Sequence, residues 1–263
     1  MFLIDTHCHF AAADFESDRD VVAAAAAAAG IAAIVVPAVD VASFAAVRAC
    51  CVRHASCAAA YGIHPLYVRD ASDDDLGALR RTLQGLLAGP GRAVAVGEIG
   101  LDFFVADAGV EKQERFFVEQ LKIARDTDLP VLLHVRRAVD QVLKNLRRIK
   151  VRGGIAHAFN GSRQQAEEFI KLGFKLGFGG ALTYGGSTRI RSLACSLPLA
   201  SIVLETDSPD MPPAWLAGAR NTPLQLPRIN GVLAALRGID ADQLASATSA
   251  NALAVLPELR LPG

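Results

Sequence analysis

The chain has 263 residues, is 52% hydrophobic and 21% charged, and balances 27 basic against 27 acidic side chains. This composition supplies ample apolar material for a core and gives no reason to expect disorder. Neutrality also excludes a general nucleic-acid coat or membrane-surface protein, whose affinity rests on a large positive field, while leaving room for an enzyme that grips an anion locally.

In chain order, the apolar run Phe2-Leu3-Ile4 meets Asp5-Thr6-His7-Cys8-His9 and reads as a buried first strand. Alternate residues of a strand share a face, so His7 and His9 point together as half of a divalent-metal site, with Cys8 turned away into packing. Residues 21–39 carry no charge and are long enough to span a bilayer, but alanine contributes little transfer energy and Gly30 divides the stretch. The reading is an alanine-rich helix before Gly30 and a strand over 31–36. No basic region, apolar core and cleavage site open the chain, so no signal peptide is expected. The five cysteines, Cys8, Cys50, Cys51, Cys57 and Cys195, form no C-x-x-C and are read as reduced thiols of a cytoplasmic protein.

Further apolar runs recur at 58–63, 93–98, 131–134, 154–157, 174–178 and 202–205. Segments with charge at helical spacing lie at 73–87, 112–127, 138–149, 163–172 and 188–197. The strand-like runs are apolar on both faces, as in buried parallel sheets. The alternation predicts a (β/α)8 TIM barrel filling one domain over 1–263. In such barrels chemistry gathers at the C-terminal ends of the strands. Those positions hold His7, His9, His64, Glu98, His134, His157 and Asp207. Five of the chain's six histidines fall there; His54 is given no role.

Six ordered motifs carry a family resemblance: Asp5-Thr6-His7-Cys8-His9, Gly62-Ile63-His64-Pro65, Gly97-Glu98-Ile99-Gly100-Leu101-Asp102, His134-Val135-Arg136, His157-Ala158-Phe159-Asn160-Gly161 and Glu205-Thr206-Asp207-Ser208-Pro209. Together they resemble the TatD-type metal-dependent hydrolases of the amidohydrolase barrel superfamily. Arg137, where many members carry Asp, and Asp210-Met211-Pro212 look like the YjjV-type branch. The resemblance implies metal ligation by His7, His9, Glu98, His134, His157 and Asp207. It also implies phosphodiester cleavage as an exodeoxyribonuclease, with DNA, read as single-stranded ends, for substrate. No membrane role and no obligate protein partner are expected.

Six N and O ligands are too many for one four-coordinate catalytic ion, so two divalent ions per chain are expected, with Glu98 bridging them. His7, His9 and Asp207 are assigned to the first and His134 with His157 to the second. Zn, Mn, Co and Mg all remain open. Glu98 and Asp207 are the catalytic candidates, Asp207 as acid/base; Glu205 positions it or caps the strand. His64, Arg136 and Asp102 are the substrate-binding candidates. Arg136 either engages a phosphate or pairs with Asp102 or Asp140. His64 contacts substrate or orients a ligand, and Asp102 is read as orienting a neighbour rather than ligating metal.

The glycines of 177–186 either cradle phosphate or mark a tight loop. The Arg220-Asn221-Thr222-Pro223 segment is structural or touches substrate. The basic run 144–152 is read as a solvated helix face. Phe103 or Phe104 is the candidate for touching a base. Competing readings keep the site but change the bond, to an aminoacyl ester on RNA, or treat the chain as a scaffold with a relic pocket.

Overall fold

A computed structural model describes residues 2–86, 92–105 and 109–262. Eight parallel strands form one sheet in sequence order: β1 Leu3–Asp5, β2 Ile31–Pro37, β3 Cys57–Tyr61, β4 Ala93–Asp102, β5 Val131–Arg136, β6 Gly154–Ala156, β7 Phe174–Phe178 and β8 Ile202–Leu204. The seam between the last and first strands closes just past their ends. There the Thr6 amide donates to the Leu204 carbonyl at 3.0 Å and the Asp207 amide to the His7 carbonyl at 2.8 Å.

Helices alternate with the strands: α1 Arg19–Ala28, α2 Phe44–Arg53, α3 Asp73–Gly85, α4 Val110–Asp126, α5 Val139–Arg148, α6 Arg163–Lys171, α7 Thr188–Ser196, α8 Leu226–Arg237 and α9 Ala241–Val255. Local chemistry sets their ends. At the start of α6, Ser162 Oγ accepts from the Gln165 amide and Gln165 Oε1 accepts from the Ser162 amide, a reciprocal capping box. Gly30, at φ 83°, ends the α1 turn and turns the chain into β2, so the uncharged stretch is a helix and a strand. No helix among the described residues is long and apolar enough to cross a membrane. All five cysteines are free thiols.

Two apolar layers result. The larger lies between sheet and helices. The second fills the barrel with residues such as Ile4, Val35, Leu132, Ile155 and Val203, and is continuous with Ala252, Val255, Leu256 and Leu259 at the end of α9 and beyond. The C-terminal segment therefore packs with the barrel interior, a role that the sequence reading, which stopped at 197 for its helices, did not assign. The basic run after β5 lies on the outer face as expected. Arg147 pairs with Glu168 at 2.8 Å and Arg152 with Asp128 at 2.9 Å.

Strand bounds differ from expectation chiefly in β4, which runs four residues further and carries both Glu98 and Asp102. His7 and His9 lie just beyond the end of β1. Leu87, the expected end of the helix over 73–87, lies outside the described residues. Leu256→Ala should lower stability by about 2–5 kcal/mol in urea unfolding, because Leu256 is fully buried in the inner layer and truncation leaves a cavity.

Candidate metal centre

The site is built on one carboxylate. Glu98, 1% exposed in the middle of β4, presents its two oxygens to two separate groups of imidazoles. Oε2 lies 3.1 Å from His7 Nε2 and 3.4 Å from His9 Nε2. Oε1 lies 2.8 Å from His157 Nε2, 3.0 Å from His134 Nδ1 and 3.4 Å from His64 Nε2. Asp207 Oδ1 joins the first group at 3.7 Å from both His7 Nε2 and His9 Nε2. Strand ends from all around the barrel thus converge on a residue of β4.

Hydrogen bonding alone does not account for this packing. Two carboxylate oxygens offer about four lone-pair directions, whereas five ring nitrogens crowd them. His64 Nε2 and His134 Nδ1 approach to 3.1 Å, and the His7 and His157 rings stack at 4.0 Å, an arrangement that disfavours protonating both. Ligand atoms about 2.0–2.1 Å from a shared tetrahedral ion lie about 3.4 Å apart, which is the spacing seen here. The residues therefore fit divalent cations. Burial is the largest influence on His7 and pulls its pKa down to about 3, with the neighbouring His157 adding to the fall. For His157 burial acts the same way, but the Glu98 charge and hydrogen bond outweigh it and push the value up to about 10. Burial, opposed by His157 and His9, raises Asp207.

Other residues hold these groups in place. Asp102, fully buried, accepts from the Phe104 amide at 2.8 Å through Oδ1, and its Oδ2 lies 3.0 Å from His134 Nε2. A carboxylate there fixes the ring proton on Nε2, leaving Nδ1 free to face Glu98 and a cation. Asp102 thus sits behind His134, away from the cleft, where it orients that ring. His64 Nδ1 accepts from the Leu66 amide at 3.2 Å, and burial first of all lowers its pKa, so the neutral ring carries its proton on Nε2. His64 accordingly aims a donor into the second group. Glu205 accepts from the Ala158 amide at 2.5 Å, and Oε1 stands 3.9 Å from His157 Nδ1. Its pKa is pushed up to about 8, mostly by burial.

Two further supports were not singled out from sequence. Asp5 accepts from the Thr206 amide at 3.0 Å and the Thr206 hydroxyl at 2.6 Å, tying the first motif to the last. Arg19 donates to the carbonyls of Phe10, Ala11 and Ala12, fixing the chain after His9. Asp207 itself adopts φ 55°, an uncommon conformation for a non-glycine residue, retained by the hydrogen bond its amide donates to the His7 carbonyl. The pairing of Asp5 with Thr206 spans 201 residues and leaves no local sequence signal.

The remaining candidates separate. Arg136 and Phe104 line the cleft. Asn221 is buried and donates to the carbonyls of Thr206 and Asp210, so its role is structural. Arg220 pairs with Asp18 outside the cleft. The loop after β7 is glycine-rich because of close packing: a Cβ at Gly177 would collide with the Glu205 carboxylate, and one at Gly180 with the Met211 carbonyl. The cleft above the centre has a volume of about 1030 Å³ and is walled by His9, His64, Glu98, His134, His157 and Asp207 at its base.

Residues 4–257 match the model of a family described as TatD related DNase. The chain is 43% identical to the Escherichia coli K12 protein named uncharacterized metal-dependent hydrolase YjjV, over 94% of this chain and 95% of that one. It is 33% identical to a Cronobacter sakazakii protein named 3'-5' ssDNA/RNA exonuclease TatD, over 95% and 96% of the two chains. The crystal structure of Escherichia coli YjjV superposes with a TM-score of 0.92 at 42% identity, covering 97% of this chain and 98% of that one.

Two outcomes check the centre. Asp102→Ala should weaken divalent-metal binding about 10–100-fold in competition with a chelator, because His134 loses the partner that sets its tautomer. Metal binding should release protons near pH 7.5, seen as a buffer-dependent heat. The folded-state pKa of His157 lies above that pH, so its proton must leave as the cation enters, and affinity rises with pH.

Proposed function

The chain belongs to the TatD-related DNase family of metal-dependent hydrolases, and on that premise we propose that it is a divalent-metal-dependent phosphodiesterase trimming single-stranded DNA from its ends. The observation that carries this reading is the division of Glu98: one oxygen toward His7 and His9, which Asp207 also approaches, the other toward His134, His157 and His64. A pair of divalent ions held there, whether Zn, Mn, Co or Mg, would neutralise a phosphate and lower the pKa of water.

The chain's own residues supply the rest. Glu98 is fixed by its burial in β4 and keeps the two ligand groups in register. Asp207 takes the proton of the attacking water and returns it to the leaving oxygen, so acid and base are regenerated together. His64 donates from Nε2 to a phosphate oxygen in the second group. Asp102 keeps His134 in its working tautomer. The cleft is open enough for a polymer end, and Arg136 at its rim offers a planar guanidinium to the phosphate backbone. The relative named as a 3'-5' exonuclease supports attack from the 3' end.

An oligonucleotide labelled at one end or the other is the direct test. With metal restored, mononucleotides should leave the 3' end while a 5' label persists on a shortening ladder, and chelator should stop both. Asp207→Asn should slow release by about 10²–10⁴-fold. DNA left intact by metal-loaded enzyme would end this reading.

A further inference from the structure

The wall of the cleft is electrostatically lopsided. Following the strand order, Phe104 comes after β4, Arg136 and Arg137 at the end of β5, Asn160 after β6, and Arg189 on α7, and all of them line the cleft. The acidic wall residues Asp14 and Asp210 follow β1 and β8, on the other side of the barrel mouth.

Three guanidinium groups on the basic side are poorly matched by acids. Arg136 Nη1 is 3.9 Å from Asp102 Oδ2, beyond hydrogen-bond range, and that oxygen is already taken by His134. Arg137 has no carboxylate partner among the described residues and lies against the Phe104 ring. Arg189 Nε donates to Asn160 Oδ1 at 3.1 Å rather than to an acid. The guanidinium groups of Arg136 and Arg137 lie 3.7 Å and 4.6 Å from the centre of the Phe104 ring.

Were β5 to continue through Arg137, the two consecutive arginines would point to opposite faces and would not meet one ring. Arg137 reaches the ring by adopting φ 54°, an uncommon backbone for an arginine. Gathering two like charges at one aromatic ring is unfavourable by itself and is relieved by anions on the cleft side of these residues, while the ring holds both groups in place.

We propose that Arg136 and Arg137 on Phe104, continued by Arg189, form a track for the phosphates adjacent to the scissile one. The site then selects a strand with at least one further phosphodiester over an isolated diester. The inference rests on the phosphodiesterase reading and names the part of the substrate that this wall recognises. Asp102 ties the track to the metal centre, since one oxygen faces His134 and lies near Arg136.

The test uses the full chain with metal restored and a fluorescent single strand carrying a phosphorothioate backbone that resists cleavage. Arg137→Gln and Arg189→Gln should each weaken binding about tenfold, the value of one lost charge-assisted contact. Each should also flatten the log Kd against log salt slope by about 0.7. Arg148→Gln, on the outer face of α5, should change neither. A strand in which the linkage next to the scissile one is a neutral methylphosphonate should bind the natural chain as weakly as Arg137→Gln binds the parent strand, with no further loss in that variant.

Hydrolysis separates this inference from the one it rests on. If Arg137→Gln loses at least ten times more kcat/KM on an oligonucleotide than on bis(para-nitrophenyl) phosphate, the track is supported. Equal losses on both substrates, or natural affinity and salt slope in the Arg137 and Arg189 variants, overturn the track while the phosphodiesterase stands. Failure of the natural chain to cleave either substrate overturns both.

Discussion

One buried carboxylate, Glu98, governs the rest of the structure. An unpaired carboxylate inside a protein is costly, and burial on its own would drive Glu98 toward its neutral form. The imidazoles of His64, His157, His7 and His134 reverse that tendency and hold its pKa well below the ordinary range. The same imidazoles repel one another when protonated, so the arrangement is stable only where positive charge is shared out in a way that cations satisfy. A charge placed in the middle of a strand that is buried along its full length thereby becomes a reason for metal binding.

The barrel makes that carboxylate accessible from every direction. The candidate ligands come from the middle of β4 and from the ends of β1, β5, β6 and β8, and several of them are secured by neighbours that do not themselves line the cleft. Asp102 holds His134, Arg19 holds the chain after His9, and Asp5 with Thr206 joins the two motifs flanking the seam between β8 and β1. These contacts lie in a second layer, where hydrogen bonds to charged groups are strong and loss of one partner strands the other. The lower part of the barrel is filled by aliphatic side chains and by the segment after α9, so rigidity below supports geometry above.

The mouth is organised by charge rather than by shape alone. The chain as a whole is neutral, yet arginines gather over β5 to β7 and acids over β8 and β1. A balanced total conceals a local field, and that field is what a polyanionic strand would meet on entering the cleft.

Much of this was legible in the sequence. Runs apolar on both faces announced parallel strands, and the histidines and acids that closed them announced a site at one end of a barrel, because strand periodicity and burial are local properties of the chain. The proposed ligand set followed from the family resemblance that the ordered motifs carry. The sequence left three matters undecided. It could not show that Asp102 stands behind His134, that His64 offers a donor rather than a lone pair, or that the glycines of the β7 loop answer to Glu205 and Met211. Each depends on contact between residues far apart in the chain, down to the choice of which ring nitrogen faces which oxygen. Local patterning determined what the elements are and which residues end them; only the closing of the barrel decided which atoms meet, since distances of 3 Å across 36 to 201 positions are set by packing of the whole sheet.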